Sequence, residues 1–187
     1  LGLDVQFVNT SFDGIFAGMG VNYDVVIAGV TINEERLQTM LFSTPYISNY
    51  QAIVVRADDD TAYTSLNDLT GKTVTMQKGT TSDDLLEDMI STGTVDATQV
   101  SNESVVTSFA MVANGEVDAC LCDSTVANVY VAKNPDLKIA YVDDAEPEQF
   151  GVAIPMDNAA LQEAINKAMA ELEAEGFFTE SDAIWFG

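Results

Sequence analysis

Residues able to recognise a small charged ligand stand close together in residues 24–36, which read DVVIAGVTINEER. The unbroken apolar run in the first half predicts a strand buried on both faces, and Gly29 near its end lets another group approach the backbone. Thr31 and Glu34 form a T-x-x-E capping box, which predicts a helix beginning there. With Arg36 in that helix, the stretch is a candidate receptor for a carboxylate or phosphate. The alternative is an ordinary strand–helix turn with a surface arginine.

Two later predicted strands end in residues of the same kind. GTTSDD at residues 79–84 follows one strand and predicts a threonine-capped helix, and Asp123 follows the strand predicted at residues 117–122. We expect these two ends and the end at residues 29–31 to converge, because ligands lie at the carboxyl ends of strands in open α/β sheets. Hydroxyls, helix-start amides, one cation and one carboxylate suit a small zwitterion better than a phosphate, because Asp123 would repel an anion. The alternative for Asp123 is a helix N-cap.

Composition excludes several classes of function. The chain has 30 acidic and 7 basic residues, a net charge of −23, which argues against nucleic acid and anionic membrane surfaces as partners. It has no histidine, so a Ser–His–Asp or Cys–His nucleophile cannot form within it. Its two cysteines, Cys120 and Cys122, have no second pair to complete a zinc site, and we predict that they are small core residues. No metal and no cofactor are therefore predicted.

Predicted strands and helices alternate along almost the whole chain. Strands are predicted at residues 4–8, 51–56, 73–77, 117–122, 138–142 and 150–154, besides the one that ends near Gly29. Helical patterns lie between them, and the strongest covers residues 159–175. An acidic loop, DDAEPEQ, is predicted between the last two strands. This order predicts an α/β fold with mostly parallel sheets.

Several segments resemble a known family when they are taken together. In chain order they are SFDGIFAGM, YDVVIAGVTINEER, FSTPY, SLNDLTGKTVTMQKGTT, GEVDACLCDSTVANVYVAKNPDLKI, FGVAIP and the terminal WFG. They resemble the amino-acid-binding proteins of ABC transporters (solute-binding protein family 3), above all the members that bind glutamine and basic amino acids. The resemblance implies a type II periplasmic-binding-protein clamshell. Residues 1–47 and 150–187 would form lobe 1 and residues 48–149 lobe 2. Family members begin with a further strand and helix, so lobe 1 would be incomplete at its N-terminus. Either the sequence is a fragment or a second chain completes the lobe.

The resemblance also implies ligand-binding roles in lobe 1. The position matching Arg36 pairs with the α-carboxylate of the ligand through both guanidinium arms. The positions matching Gly29 and Thr31 bind the ligand through backbone and hydroxyl groups. The position matching Phe12 packs on the ligand side chain.

In lobe 2 the implied roles fall on two of the polar strand ends. The positions matching Thr80 and Thr81 contact the carboxylate region, and the one matching Asp123 accepts hydrogen bonds from the α-ammonium. Gln77 lies where some members carry a polar residue specific for the ligand side chain. A guanidinium fork for a carboxylate and a carboxylate for an ammonium are chemically apt on their own account.

The implied function is the extracytoplasmic substrate-binding component of an amino-acid ABC transporter. Two lobes would close on a small L-amino acid, without catalysis, and a membrane permease would be the partner. The location would be the periplasm, or the cell surface as a lipoprotein. Two alternatives remain: the ligand-binding ectodomain of a sensor or receptor, and a periplasmic dehydratase of the cyclohexadienyl type on the same scaffold.

Overall fold

The computed structural model describes residues 1–185, so the last two residues of the WFG segment lie outside the described residues. Its contacts divide the chain into two compact units. Unit 1 is Leu1–Thr10, Gly14–Ser48 and Glu148–Gly187, and unit 2 is Ser11–Asp13 and Asn49–Pro147. The lobe boundaries expected from the sequence lie within two residues of these, apart from the short segment at residues 11–13.

Strands and helices alternate through most of the chain, as the sequence predicts. The strands are β1 (Val26–Thr31), β2 (Met40–Phe42), β3 (Ile47–Arg56), β4 (Thr73–Gln77), β5 (Thr98–Asn102), β6 (Ala119–Asp123) and β7 (Leu137–Pro155). The helices are α1 (Glu34–Leu37), α2 (Thr81–Ser91), α3 (Val105–Ala113), α4 (Ser124–Val131), α5 (Ala159–Ala174) and α6 (Phe177–Trp185). Short 3-10 helices cover Ile15–Gly18 and Leu66–Leu69. Each of β3 and β7 begins in one unit and ends in the other.

Unit 2 buries both faces of its sheet. β4 pairs with β5 and β6 in parallel, and β6 pairs with β3 in the antiparallel direction. Alternate residues of β3 and β6 enter two separate apolar clusters: Ile53 and Leu121 belong to one, Val54 and Cys120 to the other. Because both faces are covered, these strands are apolar without alternation, as the sequence predicts. Cys120 and Cys122 are buried and free, which confirms them as core residues.

Unit 1 is built from antiparallel pairs. β1 and β2 both pair with β7, in the antiparallel direction. The prediction of mostly parallel sheets is therefore wrong for this unit. The prediction that β1 is buried on both faces is also wrong, because Ile27 is 65% exposed while Val26 and Val30 are buried. An apolar run shows that a strand can be buried, but another layer must cover each face.

Three further local predictions are wrong. Residues 4–8 form no strand, and their apolar side chains, including Val5 and Phe7, are exposed. The acidic segment predicted as a loop continues β7, which runs unbroken from Leu137 to Pro155. The Thr31–Glu34 capping box does not form, because β1 extends through Thr31 and the N-cap of α1 is Asn33.

Candidate ligand-binding site

The guanidinium of Arg36 is held inside unit 1. Asn33 caps the four-residue helix α1, its Oδ1 accepting from the Arg36 backbone N–H at 2.9 Å. The Arg36 side chain is buried, and its Nη1 donates to the Thr31 carbonyl at 3.0 Å. The guanidinium carbon lies 5.3 Å from the centre of the Phe16 ring, within range of a cation–π contact. The alternative of a surface arginine is therefore wrong.

The end of β1 next to Arg36 has an irregular backbone. The β1–β7 register shifts between Val26 and Val30, and within that interval Gly29 has a φ of +62°. A glycine with positive φ is typical of a β-bulge. The Gly29 backbone also hydrogen-bonds to Tyr46, whose pKa is raised above its ordinary value because burial disfavours the phenolate. A glycine at position 29 thus permits this positive φ, besides letting another group approach the backbone.

The hydroxyl of Thr31 has a defined partner. Thr31 is buried, and its Oγ1 donates to Glu148 Oε2 at 2.6 Å. A threonine hydroxyl has one hydrogen and two lone pairs, so in this arrangement Thr31 offers acceptor positions rather than its proton. Glu148 has no counterpart among the sequence-based site predictions, and its contact with Thr31 joins residues 117 positions apart in the chain.

Phe12 lies in the short segment that belongs to unit 2. It is half-buried, and its neighbours fix the segment there. Ser11 donates to Glu103 at 2.7 Å, and Asp13 forms an ion pair of 2.8 Å with Lys78. The hydrogen bond and charge of Asp13 raise the pKa of Lys78. The sequence had assigned Phe12 to lobe 1, whereas its contacts place it with the other unit.

Three of the predicted site residues line one concavity in unit 2. They are Gln77 at the end of β4, Thr80 before α2, and Asp123 at the end of β6. The remaining lining residues are Ser82, Val105, Leu121, Cys122 and Val126. Of the three strand ends predicted to converge, the two that belong to this unit lie at the same concavity. Its lining combines polar side chains with the apolar ones of Val105, Leu121 and Val126, a mixed composition that small-molecule sites also have.

The turn before α2 orients the two threonines differently. Thr80 is the N-cap of α2, and its Oγ1 donates to the Gln77 carbonyl at 2.7 Å. Thr81 begins the helix, and its Oγ1 accepts from Gln51 Nε2 at 3.3 Å. Gln51 also accepts from the Ser82 hydroxyl at 2.7 Å, so one buried amide of β3 fixes the first residues of α2.

Asp123 stands at the N-cap position of α4, but its side chain makes no capping hydrogen bond. Its Oδ1 accepts instead from Asn49 Nδ2 at 2.6 Å. The N-cap alternative for this carboxylate is therefore wrong. The sequence analysis did not identify Asn49 or Gln51 as site residues. Their only signal in the sequence is that two amide residues stand just before the apolar run of β3.

Gln77 and Cys122 both line the concavity. Gln77 Nε2 donates to the Glu103 carbonyl at 3.1 Å, which leaves Oε1 as the acceptor of that amide. A hydrogen bond with Cys120 and burial raise the pKa of Cys122, so its thiol is neutral.

Among residues 1–185 no group of three or more acidic or cysteine side chains could hold a metal ion. None of the helices in that range is long and apolar enough to cross a membrane.

A family model covers the whole chain. The model of the bacterial extracellular solute-binding proteins, family 3, matches residues 1–187. The chain belongs to this family. Its structure agrees with the type II periplasmic-binding fold of solved family-3 relatives. An ancestral arginine-binding protein bound to arginine is 36% identical, with a TM-score of 0.89 over 100% of this chain and 82% of that one. The ancestral amino-acid-binding protein AncCDT-1, described as a precursor of cyclohexadienyl dehydratase, is 30% identical, with a TM-score of 0.88 over 100% of this chain and 79% of that one.

Curated family-3 relatives are similar over most of their length. ABC transporter arginine-binding protein 1 of Escherichia coli K12 is 31% identical over 98% of this chain and 74% of its own. The L-cystine-binding protein TcyJ of the same strain is 32% identical over 100% of this chain and 69% of its own.

Proposed function

We propose that this family-3 protein is the extracytoplasmic amino-acid-binding component of an ABC transporter. The observation that supports it is a buried cation in unit 1 together with a carboxylate that lines a concavity in unit 2. Arg36 is buried and clamped by a carbonyl, and Asp123 is held by an amide while it lines a concavity. Arg36 would bind an α-carboxylate and Asp123 an α-ammonium, the two groups that every L-amino acid carries. A permease partner follows from this role.

We further propose that the ligand is L-arginine or another amino acid whose side chain ends in hydrogen-bond donors. Gln77 offers an acceptor at the concavity, and the wall beside it is apolar, which suits an aliphatic stem with a donor at its tip. The net charge of −23 favours a cation, although salt screens the general field within about 8 Å. Two relatives named above bind arginine by their own descriptions.

We propose binding without chemistry. A dehydratase on this scaffold would need a poised acid or base, and the chain contains no histidine. Asp123 Oδ1 accepts a hydrogen bond from the Asn49 amide, so in this arrangement it acts as an acceptor. Turnover of a cyclohexadienyl acid in a steady-state assay would contradict this part of the proposal.

The first test is a thermal-shift screen of the twenty L-amino acids and L-cystine, followed by calorimetry on the hits. A ligand at about 100 times its dissociation constant adds about 2.7 kcal/mol of stability, a readily measured shift. We expect arginine to give the largest shift. A larger shift with cystine or a neutral amino acid would keep the amino-acid function and overturn the choice of ligand.

The second test removes each charged partner. We expect Arg36→Ala or Asp123→Ala to weaken binding by about 30-fold or more, because unpairing one buried charge costs about 2–5 kcal/mol and each tenfold is about 1.4 kcal/mol. The chain offers matched controls. Arg56, the other arginine, is exposed and paired with Asp58, and Asp60 is exposed, so Arg56→Ala and Asp60→Ala should bind normally. Equal affinities in all four variants would overturn the site.

A further inference from the structure

A buried asparagine from a neighbouring strand takes the place of Asp123 as the cap of α4. Asn49 of β3 is fully buried, and its Oδ1 accepts from the Thr125 backbone N–H at 3.2 Å and from the Thr125 hydroxyl at 3.1 Å. The Ser124 hydroxyl also donates to it, at 3.3 Å. A free N–H in the first turn of a helix normally bonds to the N-cap side chain. In α4 the N-cap residue is Asp123, but the Thr125 N–H donates to Asn49 Oδ1 instead.

The orientation of the Asn49 amide follows from its partners. A backbone N–H can only donate, so the oxygen of Asn49 must face Thr125 and its nitrogen must face the other way. That nitrogen donates to Asp123 Oδ1 at 2.6 Å. A hydrogen bond from a buried amide restrains the carboxylate that accepts it. One oxygen of Asp123 is thereby engaged, which restrains this carboxylate at the concavity.

We propose that Asn49 is a positioning residue for ligand recognition, holding the Asp123 carboxylate oriented for the α-ammonium while it caps α4 in place of that carboxylate. This inference rests on the proposed function, since it assigns Asp123 to an ammonium. The oxygen of the Asn49 amide caps α4, and its nitrogen binds Asp123. A capping role alone would use only Oδ1, whereas the positioning role uses Nδ2.

The experiment is a double-mutant cycle read by calorimetry with L-arginine, or with the strongest hit of the screen, at ligand concentrations up to millimolar. The four proteins are the wild type, Asn49→Leu, Asp123→Asn and the double variant. We expect Asn49→Leu to weaken binding at least tenfold. In the Asp123→Asn background the same change should cost less than twofold, because no ammonium acceptor remains to be oriented.

Two further variants keep the test decisive. Asn49→Ser is smaller and polar and lets water reach Asp123, so it measures the same loss if the leucine variant does not fold. Asn158→Leu removes another asparagine cap, whose Oδ1 accepts from the Leu161 N–H of α5 at 3.2 Å. We expect Asn158→Leu to lower the melting temperature and leave the affinity unchanged, which separates loss of a cap from loss of binding.

The outcomes distinguish this inference from the function on which it rests. If the wild type binds no amino acid, the proposed function is overturned, and the inference with it. If Asp123→Asn binds normally, the role of Asp123 is overturned. If the wild type binds and Asp123→Asn is weak, but both Asn49 variants bind normally, only the positioning role falls. An equal fold loss from Asn49→Leu in both backgrounds would also overturn it.

Discussion

The two units of this protein bury their apolar side chains to very different extents. In unit 2 the sheet has an apolar cluster on each face, with side chains such as Phe109 and Leu121 fully buried. In unit 1 the helices α5 and α6 contain no fully buried residue. Among the described residues, every large apolar side chain classed as exposed belongs to unit 1 except Val106.

This difference bears on how each unit holds its part of the site. In unit 2 apolar clusters cover both faces of β3 and β6. The buried amides of Asn49 and Gln51 on β3 hydrogen-bond to Asp123 and to Ser82. In unit 1 Arg36 is held by the helix start that Asn33 caps, by the carbonyl of Thr31 and by the Phe16 ring. A ligand-binding side chain can thus be fixed by amides on packed strands or by a short helix and a ring beside it.

The largest expected effect comes from truncating the same residue type in each unit. Phe109 is fully buried, and its ring stacks on Tyr130 at a centroid distance of 4.3 Å, whereas Phe7 is 93% exposed. We expect Phe109→Ala to lower the free energy of unfolding by about 3–5 kcal/mol. Phe7→Ala should change it by less than about 0.5 kcal/mol. Urea denaturation of both variants measures the two costs. Comparable costs would mean that Phe7 is packed in solution and would break the comparison.

Hydrogen exchange provides the second test, with a somewhat smaller expected difference. We expect peptides that cover β4 and β6 to exchange only on global unfolding, and those that cover β1 and β2 to exchange by local opening. A difference of about 3 kcal/mol corresponds to about 100-fold in protection. Mass spectrometry with proteolysis measures this, and residues 1–11, which have no regular secondary structure, give the unprotected baseline. Equal protection of β1 and β6 would contradict the contrast.

The sequence predicted β3, β4 and β6 of unit 2 but not β5, and it predicted the environment of β1 poorly. The unbroken apolar run that ends near Gly29 predicts a strand covered on both faces. Such cover exists for β3 and β6, which have apolar clusters on both sides. For β1 the prediction fails at Ile27. An apolar run indicates that a strand can be buried. Whether both of its faces are covered depends on residues far away in the sequence, so the run alone does not predict it.

The candidate site divides in a similar way. Arg36, Thr80 and Asp123 could be predicted because strand ends and helix starts have characteristic residue types within a few positions. Asn49 could not be, because it acts on a residue 74 positions away, and a buried amide in a strand has no local pattern. The Thr31 capping box was wrong for a related reason. The spacing was suitable, but pairing with β7 extended the strand through Thr31 and moved the cap to Asn33.

The smallest expected effect tests the irregular end of β1 with two glycines of like conformation. Gly29 and Gly71 have φ values of +62° and +80°, so an alanine costs about 1–2 kcal/mol at either position. A Cβ on Gly71 would meet open space, whereas one on Gly29 would lie 3.3 Å from the Phe150 ring. We therefore expect Gly29→Ala to cost about 1 kcal/mol more than Gly71→Ala in urea denaturation. It should also weaken amino-acid binding, which Gly71→Ala should leave intact. If the two variants were equally stable and bound equally well, the end of β1 would be compliant, and Gly29 would matter for its conformation alone.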